Sequence, residues 1–179
     1  MGALLADREL IRIMQARVAR VAVGPSTVRG YGAGVVAASQ NFLARLKLEP
    51  IADLELSEFP RKLDRLTLSL IDALPPDAQH WGLARKVLNI GLRDIVYARH
   101  LCAHYPGLAQ LEPVLELPLD GIVGKRLREQ DPTVPRWKRI KDVSPDSSRM
   151  YQQAASCIAK SHGIARIHLD ALWWGVREA

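Results

Sequence analysis

At 179 residues, 48% of them hydrophobic, the chain is long enough to bury one sizeable core or two small lobes sharing a cleft. Its 25 Lys and Arg against 19 Asp and Glu leave a net charge of +6, which favours a polyanionic partner. Two cysteines, Cys102 and Cys157, exclude a disulfide framework and a Cys-rich metal site, and the opening MGALLADRELIRIMQARVAR mixes charge with apolar residues too evenly for a signal peptide or a membrane span, which points to a cytoplasmic protein.

Apolar residues recur at helical spacing along nearly the whole chain and no run alternates with period two, so the expected fold class is all-α. Leu10, Ile13, Met14, Val18 and Val21 form the stripe of a first helix, stopped by Gly24 and Pro25. The link GPSTVRGYGAG lacks the G-x-x-x-x-G-K-[ST] spacing and a preceding strand, so it reads as a structural turn or a backbone contact to phosphate rather than a nucleotide loop. A second helix carries Val35, Val36, Phe42, Leu43 and Leu46. Ser57 can cap a third, with the stripe Phe59, Leu63, Leu66, Leu70 and Leu74 before Pro75 and Pro76.

Asp77 can cap the next segment, which holds Lys86 and is expected to run to a stop at Tyr105 to Gly107. His100 and His104 make an i,i+4 pair in it, but no Glu completes a zinc-protease arrangement, and neither a metal nor a cofactor is expected. A short helix follows Leu119 and Asp120, another is opened by Ser144 with Pro145 in its first turn and closed by Gly163, and a last one runs through HLDALWWG. Between them, Gly124 to Lys141 clusters Lys125, Arg126, Arg128, Arg136, Lys138, Arg139 and Lys141 around Trp137. Alone, that cluster is a solvated loop, with Trp137 packing beneath it. The expected organisation is one compact helical unit over 1–179, with a hairpin and lysine helix at 78–105, an aspartate helix at 117–129 and C-terminal helices at 144–177.

Four pieces in this order, GLARK ending at Lys86, PLDGIVGKRL around Asp120, the basic loop, and HLDALWW, resemble the helix-hairpin-helix DNA glycosylase superfamily, most closely its archaeal 8-oxoguanine DNA glycosylase branch. The resemblance covers roughly residues 80 to 175. Two departures stand out: Ala84 occupies the place of the second hairpin glycine, and Leu119 the place of a proline before the aspartate. The resemblance implies a helical bundle, or two small lobes around a cleft, that excises a damaged base from double-stranded DNA as a monomer without a cofactor. The protein would be nucleoid-associated in a bacterium or archaeon. Lys86 would be the nucleophile of an associated β-lyase step and Asp120 the essential carboxylate. Trp174, Asp170, Ile90 and Arg93 would form the base pocket, and Gly82, Ala84 and Arg85 would join Lys125, Arg126, Arg136, Lys138 and Arg139 in contacting DNA.

The residue chemistry is compatible with that assignment. Cleaving an N-glycosidic bond builds positive charge on the sugar, which a nearby carboxylate such as Asp120 stabilises. A lysine attacks C1′ only as the neutral amine, so Lys86 needs a lowered pKa, from partial burial and from the positive charges of Arg85 and Arg93. Every candidate also has a plainer reading: Asp120 as a helix cap, Lys86 as a surface or phosphate-binding lysine, Trp173 or Trp174 as core, Asp170 paired with Arg166, and Arg93 paired with a carboxylate. Two further functions remain open: a monofunctional glycosylase for alkylated or otherwise modified bases, and a non-catalytic helical DNA-binding protein.

Overall fold

A computed structural model of the chain describes residues 2–175, with the side chains of residues 2–6, 33, 174 and 175 outside the description. Among the described residues every regular element is helical, as expected. The α-helices are α1 (Gly2–Ala22), α2 (Ala33–Ala44), α3 (Glu49–Ala52), α4 (Phe59–Ala73), α5 (Trp81–Tyr97), α6 (Arg99–His104), α7 (Gly121–Gln130), α8 (Pro145–Ser161) and α9 (Leu169–Gly175). Short 3₁₀ turns join several of them, the longest being Pro106–Val114.

Among the described residues, the buried apolar side chains fall into two clusters. The larger joins α1, α2, α4, α5 and α6 with the Pro106–Val114 turn, and packs Phe59, Leu63 and Leu70 with Leu88, Leu92 and Ile95. The smaller joins α7 and α8 with the chain around them, through Leu117, Leu119, Val123, Leu127, Tyr151, Ala155 and Leu169. Each large apolar side chain removed from water in this way contributes about 1.5–3 kcal/mol before ordering costs. Ile140 touches both clusters, so the basic loop is anchored at its end where the two meet.

The stripe read for α4 is buried at Phe59, Leu63, Leu70 and Leu74 and half-buried at Leu66. That on α1 is rotated: Ile13 and Val21 are exposed, and Ile11, Gln15, Ala19 and Ala22 face inward. Gln15 explains the difference. Its amide donates to the carbonyls of Leu43, in the last turn of α2, and Leu46, just beyond it, 2.8 Å each. A hydrogen-bonding residue therefore occupies the centre of the buried face, which apolar periodicity does not register.

Other boundaries also differ. Ser57 lies inside the 3₁₀ turn Leu56–Glu58, and Asp77 inside Pro76–Ala78; neither caps the helix that follows. The lysine segment is two helices, because Ala98 turns extended at φ −79° and ψ 93°. The Cys102 thiol donates to the Val96 carbonyl at 3.1 Å, serving an orphan acceptor at that break. Ser144 caps α8 in a reciprocal box with Ser147, and Gly163 follows α8 at φ 66°, a conformation that glycine adopts without strain.

Candidate active site

α5 carries Lys86, Ile90, Arg93 and Tyr97 along one face, three or four residues apart, and all four line a single cleft of about 960 Å³. Asp120 enters that cleft from the head of α7 and Asp170 from α9, while Ser26, Thr27 and Arg29 enter from the α1–α2 link. Five residues singled out in the sequence, Lys86, Asp120, Ile90, Arg93 and Asp170, are thus brought together from three helices. The volume lies in the range of sites that enclose a small organic ligand.

Arg85 and Lys86 are neighbours with opposite duties, because successive helix residues project about 100° apart. Arg85 turns away from the cleft and is 6% exposed. Its guanidinium donates to Glu116 through Nε at 2.8 Å and NH2 at 2.9 Å, and through NH1 to Asp64 and Thr67 at 2.9 Å each. Trp81 lies under it, 5.0 Å from ring centre to Cζ. This network fixes the rotation of α5 about its axis and so aims Lys86 into the cleft.

Three expected DNA contacts are overturned by the same geometry. Arg85 is buried and engaged by Glu116, Asp64 and Thr67, and Ala84 is fully buried. Gly82 sits against the basic loop: a Cβ there would stand 2.8 Å from that of Val143 and closer still to the Ile140 carbonyl oxygen. Gly82 through Arg85 are already helical, so Lys86 sits in the second turn of α5 and no hairpin turn presents amides just before it.

Lys86 is half-buried, and its Nζ donates to the Thr27 carbonyl at 3.0 Å. Burial holds its pKa below the ordinary lysine value, while the negative charges of Asp120 and Asp170 pull the other way. Burial is therefore the cause, as expected, whereas Arg85 and Arg93, expected to add to it by repulsion, are not among the causes. Thr27 is itself fixed by its hydroxyl, which donates to the Ala22 carbonyl and accepts from the Gly24 amide, 3.3 Å each. The GPSTVRG link is thus a structural turn that also walls the cleft.

Asp120 caps α7, its Oδ1 accepting from the amides of Ile122 and Val123 at 2.9 Å each. Capping through one oxygen leaves the other out of the cap, so the plain reading and the cleft position hold together. The extended segment before it is tightly held. Gln152 pairs with both backbone groups of Leu117, Arg166 donates to the carbonyls of Leu115 and Val114, and Glu116 takes Arg85. Leu119 is buried, and the proline that lines the cleft is Pro118.

Comparison with protein-family models, curated proteins and solved structures finds no match. The chemistry must therefore be read from the residues.

Arg93 bridges Asp94, at 2.9 Å, and Asp170. Asp170 thus pairs with Arg93 rather than Arg166. Burial raises its pKa first, with the Arg93 charge opposing and the Asp120 charge adding to the rise. One turn along α5, the Tyr97 hydroxyl lies 2.6 Å from His168 Nδ1, and His168 Nε2 lies 2.9 Å from Glu112. A carboxylate only accepts, so the tautomer that satisfies both contacts has Nε2–H donating to Glu112 and Nδ1 accepting from Tyr97. Two rungs, Arg93 to Asp170 and Tyr97 to His168, hence tie α5 to α9 and to the 3₁₀ turn Arg166–His168 before it.

Trp174 belongs to α9, but its side chain lies outside the described residues. Lys125, Arg126, Arg136, Lys138 and Arg139 are all exposed. Lys125 and Arg126 approach Glu129 at 3.9 and 3.7 Å, and Arg139 is paired with Asp142 at 2.9 Å; exposed pairs of this kind are weak and yield to a stronger anion. Among the described residues, no cluster of three or more His, Cys, Asp or Glu side chains could hold a metal ion, and no helix is long and apolar enough to cross a membrane. Tyr97 continues the Lys86, Ile90, Arg93 spacing and was legible by extending it; Ser26, Thr27 and Arg29 lie in the GPSTVRG link, whose glycines and proline marked a turn but not its place against this cleft.

Proposed function

We propose that the protein is a DNA base-excision glycosylase with an associated β-lyase step, and that 8-oxoguanine is the first lesion to test. The observation that carries this reading is the meeting of Lys86 and Asp120 in one cleft, where the two are near enough for their charges to couple. The neutral Lys86 amine attacks C1′ of the damaged nucleotide, the C1′–N bond breaks, and the departing base takes a proton. Asp120 stabilises the positive charge that builds on the sugar. The sugar ring then opens as the C1′–O4′ bond breaks, the remaining N–H proton passing to O4′, and leaves an imine between C1′ and Nζ; once protonated, the imine acidifies the C2′ proton, whose removal expels the 3′ phosphate, and water then hydrolyses the imine and frees the lysine. The cleft receives a base flipped out of the duplex, with Ile90 against its face, Arg93 and Asp170 at its polar edge, and the exposed basic residues on phosphate.

Borohydride trapping on a lesion-bearing duplex tests it. Wild-type protein is expected to form a covalent adduct, and Lys86→Gln to lose it while duplex binding persists. Trapping that survives the substitution removes Lys86 from the chemistry. A second reading draws on the Lys86 hydrogen bond to Thr27, which suits a cation. In a monofunctional glycosylase for modified bases, Asp120 would activate water and Lys86 would stay charged. Strand cleavage appearing only after alkali would select that reading.

A further inference from the structure

The cleft does not end at Asp120. A small recess lined by Thr27, Lys86, Asp120, Gly121 and Trp137 opens beside it, and a groove of about 560 Å³ follows, lined by Gly121, Gly124, Lys125, Arg128, Arg136 and Trp137. Gly121 borders all three depressions and Trp137 the last two, so they form one trough running from the lysine to the basic loop.

The walls of that trough are built rather than incidental. The Trp137 ring lies on the glycine face of α7. A Cβ on Gly124 would stand 2.8 Å from its Cδ2 and closer to Cε3, and one on Gly121 would stand 3.5 Å from its Nε1. Tyr151 meets the same ring edge-on at 5.7 Å between centres, and its hydroxyl donates to the Pro135 carbonyl at 2.8 Å. Arg128 donates to the Val134 carbonyl and closes the loop onto α7. An aromatic wall held this firmly, with Lys125 and Arg136 on an exposed rim opposed by Glu129, has the make-up of a strand-binding surface: a face for a base or sugar and cations for phosphate.

We propose that this trough seats the nucleotide next to the everted one on the same DNA strand, its base or sugar against Trp137 and its phosphate between Lys125 and Arg136. The proposal rests on the DNA reading above. It makes Trp137 a contact residue as well as a packed one, and it gives Gly124 a purpose, since a side chain there would displace the ring. Continuity with the cleft and the excess of positive charge fix the occupant as a phosphodiester chain.

The test uses duplexes carrying a non-cleavable abasic analogue, either long on both sides of it or cut short on the 5′ or the 3′ side of that strand, with binding read by fluorescence anisotropy. Lys125→Ala with Arg136→Ala, and separately Trp137→Ala, are expected to weaken binding of the long duplex by about five- to a hundredfold, the range of a base-stacking and phosphate contact. On the duplex cut short on the side that enters the trough, the same variants should bind within about twofold of wild type, because coupled contacts are not lost twice. Arg136→Glu is a second probe that touches no core residue, should Trp137→Ala loosen the loop. Equal losses on every duplex, the mark of diffuse attraction, overturn the proposal, as does no loss or an absence of duplex binding by wild type. Base release from lesion-bearing DNA by the wild type is scored in parallel. A wild type that shows the one-sided dependence but releases no base keeps the trough and loses the glycosylase; one that releases base without that dependence does the reverse.

Discussion

Substituting Met for Arg85 removes the guanidinium but leaves an unbranched side chain in a site that is 6% exposed. The Asp64 arm of the network contributes little, because that carboxylate is 63% exposed and water replaces the arginine there. The Glu116 arm decides the outcome. Its side chain is only 16% exposed, and without Arg85 it keeps one hydrogen bond within the network, from Asn89 at 3.3 Å. Stranding one partner of a buried pair costs roughly 3–5 kcal/mol, equivalent to a fall in Tm of about 6–20 °C for a domain of this size. Calorimetry or urea unfolding at neutral pH reads this directly, and Glu116→Gln in the Arg85→Met background should recover part of the loss. A destabilisation below about 1 kcal/mol would refute the buried-network account. So would an unchanged Tm accompanied by weaker DNA binding, which would return Arg85 to the DNA surface.

Asp120→Asn and Asp120→Ala separate capping from chemistry: both should abolish base release, whereas Ala alone loses the cap, about 0.5–2 kcal/mol by denaturant unfolding. Equal stabilities for the two would show that the cap contributes nothing. Asp170→Asn removes a negative charge that raises the Lys86 pKa, so adduct formation on abasic DNA should set in at lower pH than in wild type. A shift to higher pH would contradict the assigned sign. Gly82→Ala drives a methyl into the Ile140 carbonyl and Val143, and thermal melting should reveal a loss of roughly 1–3 kcal/mol; a neutral result would mean that the basic loop is not seated on α5.

What could be read in the sequence was local or periodic. Lys86, Ile90 and Arg93 share a face because helical spacing says so, and the same spacing reaches Tyr97. Asp120 is a cap because Leu-Asp-Gly before an apolar run is a helix start, and Ser144 and Gly163 mark α8 for similar reasons. The failures are non-local. Arg85 looked free because Glu116 and Asp64 lie far away in the chain, and Gly82 looked like a turn because the loop pressing on it comes from Ile140 and Val143. Gln15 hid the true face of α1 by being buried for its hydrogen bonds. Ala98 breaks a helix with no glycine or proline to announce it.

The bond from Lys86 to the Thr27 carbonyl has a kinetic meaning for the chemistry proposed. An ammonium engaged with a carbonyl has no lone pair to offer, so the contact with Thr27 would mask the nucleophile of that chemistry. Unmasking requires both the loss of that acceptor and the loss of a proton, and an incoming nucleotide that crowds Thr27 while excluding water drives both at once. Reactivity is then switched on by occupancy: the lowered pKa already makes the proton easier to lose, and displacing the Thr27 contact is the step left to the substrate.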